Sequence, residues 1–283
     1  MNLMPPLFVL IKRGWLMKRF RYSFLVALVA VLLTSSTACA FRHVEEWNKK
    51  FDVSSNVRVE LSNRNGSFRI TGWDRDEIEI RAKIRIKAPS KNKALKLADA
   101  LKFEIDNSHD RFTLEVKYPK TRRVKLFSFF GDDVSIKVSF DIKVPRNCSI
   151  EVDNVNGSIA LMDTRSEIDL ETVNGSISID GLILAGRAKT VNGAISCTMR
   201  DVVDSGRLTL EGINGSIKLF IPEGADIELD AKTINGAVKL RMPAKRFLSK
   251  RNRVKAICGE GSFKIELREI NGSITVRPIQ QAI

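Results

Sequence analysis

Ile168-Asp169-Leu170-Glu171-Thr172-Val173-Asn174-Gly175-Ser176-Ile177-Ser178-Ile179-Asp180 is the stretch on which the fold turns. Ile168, Leu170 and Thr172 alternate with Asp169 and Glu171. After Asn174-Gly175-Ser176 the alternation resumes, with Ile177 and Ile179 flanking Ser178. Period-two patterning of this kind marks a strand with one buried face. The segment therefore reads as strand, Asn-Gly corner, strand.

The same layout recurs along the chain. Corners stand at Asn65-Gly66, Asn156-Gly157, Asn174-Gly175, Asn192-Gly193, Asn214-Gly215, Asn235-Gly236 and Asn271-Gly272. From Asn156 onward they are 18, 18, 22, 21 and 36 residues apart. Short, near-constant spacing is the signature of a repeat architecture, in which stacked coils share an interior that no coil could bury alone.

Asn-Gly suits a sharp turn because both residues tolerate positive φ. Two chain paths use such a turn. One is a two-residue hairpin, which would build an antiparallel meander or sandwich. The other is a coil that bends and runs on. The residue before each Asn favours the coil: it is Val155, Val173, Val191, Ile213, Ile234 or Ile270, and only Arg64 departs. A bending chain is expected to turn these side chains inward at the corner. The expected fold is thus all-β, a β-solenoid with one short helix. Stacked Asn side chains would hydrogen-bond from coil to coil, a structural role for all seven.

Around the repeats, residues 41–52 read as a linker or cap and 53–145 as an N-terminal β segment. Residues 146–278 are the dense Asn-Gly array, and 279–283 a tail. Glu77 to Lys87 reads as one long strand whose outer side chains form a solvated, mixed-charge face. Ala94, Leu97, Ala98 and Leu101 follow helical spacing, placing a short amphipathic helix at about 91–101.

Two basic insertions interrupt the pattern. Lys117 to Gly131 holds Arg122, Arg123 and Lys125 beside Phe127, Phe129 and Phe130. Met242 to Gly259 holds Lys245, Arg246, Lys250, Arg251, Arg253 and Lys255 with no acid, and reads as a loop grafted onto a coil. Both are candidate contacts for an anionic surface; the alternative for the first is a β-hairpin whose Phe residues pack on the core, and for the second a solvated basic loop.

The first 40 residues carry five basic residues and no acid. Met17-Lys18-Arg19-Phe20-Arg21 leads into an apolar run from Phe24 to Leu33, then a polar stretch. That order is a secretory signal, and the run is too short to span a bilayer. Met17 is an alternative start. Ala38-Cys39-Ala40 fits cleavage after Ala40; Ser36-Thr37-Ala38-Cys39 fits a lipobox with Cys39 acylated. Beyond residue 40 stand 42 basic and 33 acidic residues, so the body is basic. Acidic polysaccharide, a membrane surface or an envelope protein are the expected partners, and export argues against nucleic acid.

Chemistry-bearing motifs are missing. Only His43 and His109 are present, far from any Cys cluster. There is no zinc spacing, nucleophile elbow, phosphate-binding loop or dinucleotide fingerprint. Cys148, Cys197 and Cys258 are an odd number with no C-x-x-C pair, and Cys197 falls on an apolar phase. No cofactor and no catalytic residue are expected.

The Val/Ile-Asn-Gly-Ser/Ala-Ile/Val repeats resemble a bacterial family of β-solenoid domains of unknown function, provisionally named adhesins. The resemblance covers roughly 52–278, including Asn65-Gly66-Ser67-Phe68-Arg69-Ile70-Thr71-Gly72-Trp73-Asp74 and Val144-Pro145. It implies an exported, non-enzymatic envelope protein and carries no catalytic residue over. The expected function is an adhesin or scaffold presenting its repetitive surface to an envelope polymer or protein. A periplasmic sensor of envelope stress is the alternative, and a polysaccharide-active enzyme a third.

Overall fold

Alternating burial runs through the strands, and it explains why they stack. The computed structural model describes residues 41–108, 110–119 and 134–279, the side chains of 246–248 excepted. The strands are β1 (Phe41–Asp52), β2 (Arg58–Asn65), β3 (Phe68–Trp73) and β4 (Glu77–Ala88), followed by helix α1 (Lys91–Asp99). Next come β5 (Lys102–Ser108), β6 (Arg111–Lys117), β7 (Ser135–Pro145), β8 (Ser149–Asn156), β9 (Ile159–Asn174) and β10 (Ile177–Asn192). The chain continues with β11 (Ile195–Met199), β12 (Gly206–Ile221), β13 (Ile227–Asn235) and β14 (Val238–Leu240). It closes with β15 (Arg246–Lys250), β16 (Arg253–Cys258) and β17 (Phe263–Pro278). All belong to one 17-stranded sheet that bends at the Asn-Gly corners.

The coil is the correct path. Each corner lies in parallel register on its neighbour: Asn65 on Asn156, Asn156 on Asn174, Asn174 on Asn192 and Asn192 on Asn214. Strand halves before the corner form one face and halves after it another. Their inward side chains, such as Leu170 and Leu210 from the first and Ile177 and Ile217 from the second, join a single buried cluster.

Rung order departs from chain order at one end. Asn214 stacks on Asn271, and Asn271 on Asn235. After β12 the chain runs outward to β13 and β14, leaving a slot. The hairpin β15–β16 folds back so that β16 pairs antiparallel with β13. Strand β17 then fills the slot, parallel to β12 along its whole length and to β13 and β14 on its other edge. Met242 to Gly259 is therefore a hairpin that closes the end of the stack, where a loop was expected.

The opposite end is closed differently. Strand β6 lies parallel to β2 and β7 parallel to β3, extending both faces by a rung without an Asn-Gly corner. Antiparallel strands β5 and β4 cover them, and β1 covers β4. Residues 41–52 are thus a paired strand, not a linker. Trp47 packs on Phe103 at 4.9 Å and Phe51 on Phe112 at 5.1 Å between ring centroids. Helix α1 begins where Ser90 Oγ accepts from the Lys93 N–H, and buries Ala94 and Leu97.

The inward turn of the β-branched residues is overturned. Val155, Val173, Ile270 and Ile234 are 41, 40, 39 and 60% exposed. Strict alternation continues to the residue two before each Asn, which is the last to point inward. The bend falls after the β-branched residue, so that residue stays outside.

Candidate functional site

The corners form two hydrogen-bonded ladders. Outside, each Asn amide donates to the Asn carbonyl oxygen of the next rung, at 2.7 to 3.0 Å, from Asn235 through Asn271, Asn214, Asn192, Asn174 and Asn156 to Asn65. Beyond Asn65 the ladder ends at Tyr118, whose hydroxyl accepts from the Asn65 N–H and donates to Asn63 Oδ1. Inside, buried side chains two residues before the Asn bond to glycine carbonyls. Thr172 Oγ1 donates to Gly157 O at 3.0 Å, Thr190 to Gly175 O at 2.8 Å, and Thr233 to Gly272 O at 2.9 Å. These bonds satisfy carbonyls that the bend would orphan.

Glycine is needed here mainly because of its neighbour. None of the Asn residues has positive φ, and Gly175 and Gly193 do not either. A Cβ on Gly175 would lie 2.1 Å from Gly157 O. The expectation that both residues exploit positive φ holds at Gly66, Gly157 and Gly272 but at none of the Asn residues; close rung-to-rung approach asks for glycine at all seven corners.

One rung breaks the inner ladder. Gly212 stands where a Thr would be, and Glu269 of the next rung occupies the vacated space; a Cβ on Gly212 would fall 2.0 Å from Glu269 Oε2. Glu269 is 3% exposed and neither carboxyl oxygen has a partner of hydrogen-bonding geometry. Burial pushes its carboxyl above the usual glutamate range, partly opposed by the nearby N–H groups of Gly215, Ile270 and Asn271. Protonated, it is a donor like the threonines of that row; ionised, it is not. The folded state thus holds a proton that the unfolded chain releases. The associated stability is full at acid pH and falls as pH rises from the ordinary glutamate range through the raised folded value. Glu269→Gln is expected to remove that fall, gaining about 1 kcal/mol over the parent near neutral pH. Denaturant titrations at several pH values would show it; parallel pH profiles for the two proteins would refute it.

A large concavity lies elsewhere among the described residues, on the outer side of β1, β4, β7 and β3. It is an open groove of about 1040 Å³ whose lining includes Lys50, Arg69, Arg81, Lys83, Arg85 and Lys137. Acids neutralise one end: Glu79 contacts Arg81 at 2.6 Å and Lys50 at 3.6 Å, and Glu46 meets Lys83 at 3.1 Å. The Arg81 and Lys partners together hold the Glu79 carboxyl below its ordinary range despite burial. At the other end Arg85 and Lys137 face each other across the β4–β7 pair. Neither has an ion-pair partner among the described residues. Like charges directly opposite in a sheet repel, and an anion between them would relieve that repulsion. The sequence had suggested merely a solvated face on β4; what it hid was that β7 and β3 place Lys137 and Arg69 beside it.

Residues 43–277 match the sequence pattern of the Toastrack DUF4097 family. The chain belongs to that family. The resemblance drawn from the Asn-Gly repeats is borne out, as is the β-solenoid. Among solved structures, a Clostridium sporogenes protein provisionally named for cell adhesion is similar at 13% identity and TM-score 0.47, covering 84% of this chain and 100% of its own. A provisionally named Bacteroides fragilis adhesin is similar at 11% identity and TM-score 0.32, covering 82% and 97%. A Parabacteroides distasonis protein provisionally named lipid-binding is similar at 11% and 0.28, covering 83% and 97%. No curated protein matches.

Arg122, Arg123 and Lys125 lie outside the described residues, as do Cys39 and the Arg246 side chain. Their insertion leaves the stack after Tyr118 and returns at Val134, beside the first rung. The second insertion closes the far end. There Arg253 and Lys255 both bind Asp230, at 2.8 and 3.3 Å, and Lys245 binds Glu260 at 2.9 Å. Lys250 and Arg251 remain exposed without an ion pair among the described residues.

The Toastrack core also holds its thiols inert. Cys148, Cys197 and Cys258 are buried and unpaired. Burial pushes Cys148 and Cys197 up to about 12, far from a reactive thiolate. Among the described residues, no cluster of three metal-ligating side chains converges and no helix is long and apolar enough to cross a membrane.

Proposed function

We propose that this Toastrack protein is an exported, non-enzymatic envelope-binding module that holds an acidic envelope polymer in the groove of β1, β4, β7 and β3. The observation that carries the reading is the unneutralised Arg85–Lys137 pair at the groove's basic end. Several further features support it. The basic, apolar, polar order of the first 40 residues favours export. Strand β7, which carries Lys137, follows directly on the segment containing Arg122, Arg123 and Lys125. An open groove on a rigid sheet suits a chain-like ligand better than a small enclosed one.

Binding to a soluble polyuronate, followed by calorimetry, tests the proposal. Arg85→Ala with Lys137→Ala is expected to weaken binding about tenfold or more and to lower its salt dependence. Lys218→Ala with Lys239→Ala removes as much charge from the same face at distant rungs, and is expected to leave affinity within about twofold. Equal losses in the two variants would reduce the effect to net charge. Binding to anionic vesicles but not to the polyuronate would reassign the groove to a membrane surface.

A further inference from the structure

The β-branched residues that turned outward make a continuous apolar stripe. In rung order it runs Val155, Val173, Val191, Ile213, Ile270, Ile234. At about 4.8 Å per rung it is about 24 Å long. Monomeric proteins seldom expose such a ridge without a use for it. At its far end Ile213, Ile234 and Ile270 border a depression of about 350 Å³.

Two residues before the stripe on each strand, and on the same outer side, runs a row of charges. Its rung order is Asp153, Glu171, Lys189, Glu211, Arg268, Lys232. The signs read minus, minus, plus, minus, plus, plus. Reversed end for end, every sign is inverted. A second copy turned about a two-fold axis parallel to the strands would therefore set Asp153 against the other copy's Lys232, Glu171 against Arg268, and Lys189 against Glu211. The same turn lays the stripe on itself, Val155 and Val173 facing Ile234 and Ile270 at the depression. The pattern extends beyond the six rungs. Glu115 neighbours Ser62 next to Asp153, and Arg253 then Lys250 follow Lys232 at the other end. Glu115 would meet Lys250.

We propose that this face is a two-fold interface between copies of the chain, with the stripe at its centre and the charge row fixing its register. Among the described residues, Asp153, Lys189, Glu211 and Lys232 have no ion-pair partner within the chain, so their charges are available, whereas Glu171 and Arg268 are already held by Arg187 and Glu266 and add less to the register. The next row outward contrasts with them. Glu151, Asp169, Asp230 and Glu266 would meet like charges, but Arg58, Arg187, Arg253 and Arg268 already neutralise each. They mark the rim. A patch about 24 Å by 17 Å buries on the order of 800 Å² in total, short of a standard stable interface. The dimer is accordingly weak and concentration-dependent. It lies on the face before the corners, away from the basic groove, and does not rest on the function proposed above.

Sedimentation of the purified chain over a concentration series tests it. Asp153→Lys and Lys232→Asp are each expected to weaken association about tenfold or more, since symmetry doubles each substitution. The double variant is expected to return to within about threefold of the parent. The two positions sit five rungs apart in one molecule, so only contact between molecules can restore the loss. Unfolding midpoints matching the parent would show that the variants fold. A chain that stays monomeric up to about 1 mM, single variants that associate like the parent, or a double variant as weak as the singles would each overturn the proposal.

Discussion

Gly193→Ala is expected to prevent the stack from closing. The added methyl would sit 2.1 Å from Gly175 O and 2.6 Å from Gly175 C, both backbone atoms of the adjoining rung. Neither can withdraw without breaking the parallel pairing of β10 with β11 and β12. The cost is about 3–5 kcal/mol, beyond ordinary overpacking because no side chain is there to rotate away. Against a total stability of roughly 5–15 kcal/mol, that leaves a marginal or unfolded chain. Gly224→Ala is the comparison. Gly224 has φ +78° and nothing within 4 Å of an added Cβ, so only the conformational cost remains, about 1–2 kcal/mol. Urea titrations would separate the two; equal losses would mean that rung contact is not what selects glycine at the corners.

Ending the chain after Gly261 is expected to be more damaging still. Simple solenoids lose stability one rung at a time, because a terminal coil touches a single neighbour. Here the last strand is an inner one. Without β17, the inward edges of β12 and β13 face an empty slot, and Phe263, Ile265, Leu267, Ile274 and Val276 are lost from the core. At about 1.5–3 kcal/mol each, these side chains alone represent about 10 kcal/mol of burial. Circular dichroism and limited proteolysis of the shortened chain should find no cooperative transition in the region from β12 onward. A sharp transition near the parent's midpoint would show that β17 is dispensable and the slot closes without it.

Much of this was legible because the repeats are local. Seven Asn-Gly pairs flanked by alternating apolar residues leave few alternatives to stacking, and the amide ladder follows from register alone. The argument that chose the coil over the hairpin nevertheless ran through the wrong residue. Val173 and its equivalents were expected inside, whereas Thr172 and its equivalents are the last inward groups; hydroxyls that bond to carbonyls of the next rung are hard to tell from polar surface residues in a sequence. The exchange of the last two rungs was not legible either, since corners at Asn235 and Asn271 fit either order. The groove needed four strands, brought together from residues 41 to 145, and the opposed Arg85 and Lys137 are 52 residues apart. The complementary charge row lies further out of reach, because its signs acquire meaning only in rung order.

A parallel stack invites its own continuation: a bare end rung offers unpaired N–H and C=O groups in the geometry that another chain could copy, the route by which such structures grow into fibres. Strands that run the opposite way cover both faces at one end, β4 and β5, and one face at the other, where β16 covers β13 and the three-residue β14 is the remaining edge. The outermost strand β1 adds Glu45, Glu46, Lys49 and Lys50 along its edge, charges that an incoming strand would have to bury. Reversing direction at each terminus interrupts the template, so the molecule keeps a fixed length while remaining, through its middle, as regular as an amyloid protofilament.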